Sequence, residues 1–140
     1  MSDAPQSETT MSLNVLVVDD SAVMRSMIIR ALRMSGVPIG TVYEAGGGEA
    51  GLALLREQAV HLAMLDINMP GMSGLEMIGR MRVDPRLRRL PIVVVSTEGS
   101  EARIEELQLQ GIGFVHKPFA PERLRETLLR VVFEAAGVAG

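Results

Sequence analysis

Four short apolar runs punctuate the chain, at Leu13 to Val18, Val60 to Leu65, Ile92 to Val95 and Ile112 to Val115. Val15-Leu16-Val17-Val18 and Ile92-Val93-Val94-Val95 are apolar at every position, not at alternate ones. That pattern predicts strands covered on both faces. A further short strand is predicted over 41–45. The stretches between follow a helical period. The first helix is predicted over 21–35, with Met24, Ile28, Ala31 and Leu32 on one stripe and Gly36 as its stop. The second covers 49–58 after Gly46-Gly47-Gly48, and the third 75–82 after Pro70-Gly71-Met72-Ser73-Gly74. Ser100 suits the N-cap of a fourth helix that runs to Gln110 and stops at Gly111. Pro121 opens the fifth, which places Leu124, Leu128, Val131 and Ala135 on one face and pairs Glu126 with Arg130.

Five strands alternating with five helices are the signature of βαβ units around a parallel sheet. Right-handed crossovers leave few topologies, and the expectation is a doubly wound, three-layer α/β/α domain. A length of 140 residues suits one such domain with a substantial core. Residues 1–12 are polar and read as a disordered tail, which leaves 13–137 for the domain.

Composition narrows the function. A formal charge of −3 and a pI near 5.4 argue against a nucleic-acid binder. The chain has no cysteine, so neither disulfides nor thiolate metal sites arise, which fits a reducing compartment. No apolar run approaches the roughly 18 residues of a membrane span, and the start lacks the features of a signal peptide. A cytoplasmic protein that does not insert into membranes is expected.

The chemistry lies where the runs end. The first stops at Asp19-Asp20, the second at Asp66, the third at the hydroxyl pair Ser96-Thr97, and the fourth one residue before Lys117. In a parallel sheet these ends share one edge, the edge where open α/β sheets bind ligands. Lys117 is the single lysine beside 13 arginines. A compact ammonium suits a cramped anion site better than the broad guanidinium fork. Each residue also has a plain structural role open to it. The aspartates could cap helices or turns, and Ser96 and Thr97 could begin a loop. It is the conjunction at one edge that carries weight.

Three clustered carboxylates imply a cation. Each pair of unit charges ~4 Å apart repels by about 4 kcal/mol at an effective dielectric of 20, so three pairs cost on the order of 12 kcal/mol before relaxation. The cluster must recruit a cation, raise a pKa, or both. An oxygen-only donor set favours a hard ion, and Mg2+ is the natural choice. His61 and His116 have no ligand spacing and read as strand residues.

Taken together, Val17-Val18-Asp19-Asp20-Ser21, Leu65-Asp66-Ile67-Asn68-Met69-Pro70-Gly71-Met72-Ser73-Gly74, Val95-Ser96-Thr97-Glu98 and Lys117-Pro118-Phe119 resemble the receiver domain of bacterial two-component response regulators. The likeness is strongest to stand-alone, CheY-like chemotaxis-type regulators and covers residues 13 to about 136 in order. It implies a flavodoxin-like sheet of strand order 2-1-3-4-5, an order for which CheY is a standard example. It further implies Asp66 as phosphoacceptor, with Asp20 and Asp66 holding Mg2+ directly and Asp19 through water. The backbone carbonyl of Asn68 would complete the protein ligands. Lys117 would pair with Asp66 and then with the phosphoryl group, to which Ser96 would donate its hydroxyl.

The same resemblance places Thr97 and Phe114 at switch positions, with Asn68 and Glu98 beside the path of the water that removes the phosphoryl group. Phe114 stands where the chemotaxis regulator has a tyrosine, and the stretch from Ser96 to Lys117 is one residue shorter. The implied partners are a sensor histidine kinase or histidine phosphotransfer protein, and a downstream target on the face of the fourth helix, fifth strand and fifth helix. A monomer is expected, with dimerisation on activation as an alternative. The chain would catalyse only its own phosphorylation and dephosphorylation. Two other readings compete. A pseudo-receiver would bind partners without phosphorylation, but such chains usually lack a member of the site. A haloacid-dehalogenase-type phosphatase would show D-x-D after its strand, whereas Asp66 is followed by Ile67 and Asn68.

Overall fold

The computed structural model describes residues 12–135. Five parallel strands, β1 (Leu13–Val18), β2 (Ile39–Ala45), β3 (Leu62–Leu65), β4 (Ile92–Ser96) and β5 (Gly113–His116), form one sheet of order β2-β1-β3-β4-β5. They alternate with α1 (Ala22–Met34), α2 (Gly48–Glu57), α3 (Gly74–Val83), α4 (Glu101–Leu109) and α5 (Pro121–Ala135). This is the expected doubly wound fold. The tail expected over residues 1–12 lies, Ser12 apart, outside the described residues, as does the end of the expected domain beyond residue 135.

Consecutive apolar residues in the strands feed two cores because successive side chains point to opposite faces. Leu16, Val18, Ala63, Leu65, Ile92, Val94 and Phe114 face one way, towards Leu52 and Leu55 of α2, Met77, Ile78 and Met81 of α3, and Leu107 of α4. Val15, Val17, Leu62, Met64, Val93, Val95 and Val115 face the other, onto Ile28, Ala31 and Leu32 of α1 and Leu124, Leu128 and Val131 of α5. Burying each of the larger side chains is worth about 1.5–3 kcal/mol, so the sheet is stabilised from both sides. Arg125 of α5 joins the second layer further by donating to the carbonyl of Ser35 at 2.8 Å.

Several boundaries differ from expectation, each for a local reason. β3 begins at Leu62, not Val60, and His61 lies outside the strand, where its Nδ1 accepts from the Asn14 amide at 2.9 Å. β5 begins at Gly113, not Ile112, since Gly113 pairs with Val93, and it includes His116 as expected, paired with Ser96. β2 is longer than predicted because it begins pairing at Ile39 against Leu13. Ala135 is exposed, off the buried face of α5. The i,i+4 ion pair that forms among the described residues joins Arg80 to Glu76 at 3.7 Å, not Glu126 to Arg130.

Two close approaches fix the layers. A Cβ on Gly113 would lie 2.6 Å from Thr127 Cγ2 and 2.8 Å from Val131 Cγ2, so α5 packs directly against the backbone of β5. Gly74, the first residue of α3, leaves still less space and packs beneath the backbone of Asp66 and Ile67. Ser73 caps that helix by accepting from the Glu76 amide at 3.2 Å.

Candidate functional site

The sheet ladder runs on past the strand ends and carries the polar residues with it. The amide of Asp19 donates to Ala45 and that of Asp66 to Val18, both at 3.1 Å, while the amide of Lys117 donates to Ser96 at 2.9 Å. Backbone bonds on neighbouring strands therefore place Asp19, Asp66, Ser96 and Lys117 along one edge. Thr97, one residue beyond β4, is exposed.

Beyond each of three strand ends the chain turns in the same way. Asp19 Oδ1 accepts from the Ser21 amide at 2.9 Å, Asp66 Oδ1 from the Asn68 amide at 3.2 Å, and Ser96 Oγ from the Glu98 amide at 3.1 Å. A side-chain oxygen thus closes each turn onto the amide two residues on. The turn role considered for Asp66 is real, and it does not compete with a chemical one. It occupies one carboxylate oxygen and leaves the other to face the site.

Those second oxygens meet Lys117. Its Nζ donates to Asp19 Oδ2 and to Asp66 Oδ2, each at 2.7 Å. The three side chains are only 11%, 2% and 9% exposed, for Lys117, Asp19 and Asp66 in that order. Burial works against the ammonium, but the hydrogen bonds and charges of the two aspartates outweigh it, so the Lys117 pKa is raised. Asp20 is exposed at the rim, yet Asp19, Asp20 and Asp66 each bring a carboxylate oxygen within 4.8 Å of the others. One cation, Lys117, thus serves two of the three acids, and the third faces solvent.

The donor set fits a hard divalent ion. It is made of carboxylate oxygens, with no sulfur or imidazole among the three clustered residues. Asn68 follows in the loop, with its amide tied to Asp66, and its backbone carbonyl is the further oxygen that the family resemblance implies.

The remaining predicted residues sit around this centre. Phe114 is buried in the core beside α4, its ring edge-on to His116 with centroids 4.8 Å apart and planes at 70°. Glu98 accepts from the Ser100 amide at 2.9 Å and lies 3.9 Å from Arg103, so it also organises the start of α4. Two contributors escaped the sequence reading. In the sequence Gly74 reads as a turn residue, and nothing in its neighbours signals contact with Asp66. Arg25 reaches the carbonyl of Asp19 with Nη1 at 2.6 Å and Glu44 with Nε at 2.9 Å, a convergence of α1, β1 and β2 that no motif spells out.

Known proteins resemble this chain in sequence and fold. Residues 15–129 match the response regulator receiver domain family. The chemotaxis protein CheY of Pseudomonas aeruginosa is 33% identical over 85% of this chain and 95% of its own length. The two-component response regulator ARR15 of Arabidopsis thaliana is 32% identical over 93% of this chain and 69% of its own. The solved structure of the chemotaxis response regulator CheY4 of Vibrio cholerae superposes with a TM-score of 0.74 at 34% identity, over 86% of this chain and 99% of that one. Members of the family are phospho-accepting signalling switches, modified on an aspartate, that bind Mg2+ at an acidic pocket and interact with kinases and downstream targets. Among the described residues no helix is long and apolar enough to cross a membrane. With its sheet order, its acidic edge and a match over most of its length, the chain belongs to the family of response regulator receiver domains.

Proposed function

We propose that Asp66 is the phosphoacceptor of a CheY-like response regulator, and that Asp19, Asp20, Asp66 and the carbonyl of Asn68 hold Mg2+ beside it. The observation that carries this reading is the Asp66 carboxylate itself. It is nearly buried, one oxygen is held by the Asn68 amide, and the other lies 2.7 Å from a shared ammonium at the edge of the sheet.

In the reaction, a carboxylate oxygen of Asp66 attacks the phosphorus of a phosphohistidine on a kinase or phosphotransfer protein. The new O–P bond replaces the N–P bond, and the imidazole leaves. Mg2+, when bound, supplies neutralisation of the charge on the phosphoryl oxygens. Lys117 gives up part of its contact with Asp66 and donates to a phosphoryl oxygen in its place. The Ser96 hydroxyl, whose oxygen already accepts from Glu98, has its proton available for another. Movement of Ser96 and Lys117 alters the loop before α4 and the end of β5. The downstream partner then reads α4, β5 and α5, where Phe114 and His116 lie. The setting proposed is a cytoplasmic chemotaxis pathway, on the strength of the chemotaxis regulators among its relatives.

Incubation with acetyl phosphate, with and without Mg2+, tests the assignment by intact mass. The parent should gain one phosphate only when Mg2+ is present, and Asp66→Asn should gain none. Labelling of Asp66→Asn at the parental level would refute it.

A further inference from the structure

Arg25 occupies an unfavourable place for a cation. It lies in the first turns of α1, whose opening turn carries no acidic residue, so its charge opposes the positive end of the helix dipole. Its side chain is nevertheless only 18% exposed and is held at two points. Nη1 donates to the carbonyl of Asp19 at 2.6 Å, and Nε donates to Glu44 Oε1 at 2.9 Å. The carbonyl of Asp19 belongs to the peptide that joins Asp19 to Asp20. The guanidinium therefore grips the one peptide plane from which both acids project, and Glu44 ties that grip to β2.

The two aspartates differ in how well they are otherwise held. The carboxylate of Asp19 is fixed by the Ser21 amide and Lys117. Asp20 is exposed at the rim, and its direction depends on the orientation of its own backbone. From this geometry we infer that Arg25, braced by Glu44, is a positioning residue: it sets the Asp19–Asp20 peptide so that Asp20 presents its carboxylate to the metal. The inference rests on the acidic pocket being the Mg2+ site. A guanidinium suits this brace because its Nη1 and Nε hold two separate, fixed directions, to the carbonyl and to the carboxylate, whereas an ammonium's donors all radiate from a single point.

This role and a merely electrostatic one have opposite signs. Removing a positive charge beside three carboxylates would by Coulomb's law tighten cation binding. Removing the brace on a ligand's orientation weakens it, and loss of such outer contacts typically costs about 10- to 100-fold in metal affinity. Magnesium chloride should be titrated calorimetrically into the full unphosphorylated chain, as parent, Arg25→Met and Arg25→Lys, at low and high salt. Thermal midpoints would establish that each variant is folded. Arg25→Met should bind Mg2+ about tenfold more weakly. Arg25→Lys should also weaken it despite keeping the charge, and the loss should persist in high salt, where charge effects between exposed groups fade. Tighter binding by Arg25→Met, or parental affinity in Arg25→Lys, would overturn the inference. Should Arg25→Met not fold, Arg25→Lys decides alone. A parent that binds no Mg2+ would instead overturn the metal-site reading beneath it.

Discussion

Gly74 packs beneath the backbone carbonyl of Asp66, so closely that a Cβ there would collide with that oxygen and would lie 2.8 Å from the α-carbon of Ile67. The amide of Gly74 also donates to the Ile67 carbonyl at 2.8 Å, which closes the loop between β3 and α3 over a short span. The first turn of α3 and the candidate phosphoacceptor thus share one contact.

Gly74→Ala should therefore act on both stability and chemistry. The neighbour is backbone, which cannot swing aside, so the loop must move. Overpacking of this kind typically costs about 1–3 kcal/mol. Urea denaturation should report a loss in that range, and acetyl phosphate labelling should be slower than in the parent. Unchanged stability together with unchanged labelling would show that the loop relaxes without cost.

Asp19→Ala and Asp20→Ala should separate structure from metal binding. Asp19 is buried and serves both the Ser21 amide and Lys117. Its loss leaves a partly buried ammonium with one partner fewer, at a cost of about 1–3 kcal/mol. Asp20 is exposed, so its removal should barely change stability while weakening Mg2+ binding more than Asp19→Ala does. Denaturation and Mg2+ titration of the two variants give the comparison. The reverse order in Mg2+ affinity would contradict the assignment of Asp20 as a direct ligand.

Lys117→Arg should not restore function even though it preserves charge. The ammonium sits 2.7 Å from each of two carboxylate oxygens, and a guanidinium is too broad to replace it at one point between them. The variant should still accept phosphate but switch poorly. Amide NMR shifts of α4, β5 and α5 on phosphorylation are the measurement, and parental shifts in the variant would make the lone lysine incidental.

Asn68 and Glu98 should govern how long the phosphorylated state lasts. Asn68 is exposed beside Asp66, whereas Glu98 is half-buried and holds the Ser100 amide. Asn68→Met should slow loss of phosphate without preventing its uptake, because it narrows the approach of water. Glu98→Leu should do the same but also loosen the start of α4. Decay rates followed by intact mass after donor removal test this, and equal rates in Asn68→Met and the parent would exclude a role for that position.

The chain's local pattern determined a good deal on its own. Residues apolar at consecutive positions in β1 and β4 can be covered only from both sides, so the layered sheet was legible, as were the helices between. Asp19, Asp20, Asp66, Ser96 and Lys117 were legible because each stands at the end of an apolar run, and a parallel sheet brings such ends to one edge. Strand limits at His61 and Ile112 were not, because pairing with neighbours decides them. Nor was the division of labour within the edge. That one lysine serves both Asp19 and Asp66 depends on residues 98 and 51 positions apart. That Arg25 joins the Asp19 carbonyl to Glu44 depends on a partner 19 positions away, and that Gly74 abuts the Asp66 carbonyl depends on how the loop between them closes. Only the first of these pairings was half visible. Spacing along the chain sets which face a side chain takes, whereas distances between elements are set by packing, and those contacts became fixed only when the layers closed.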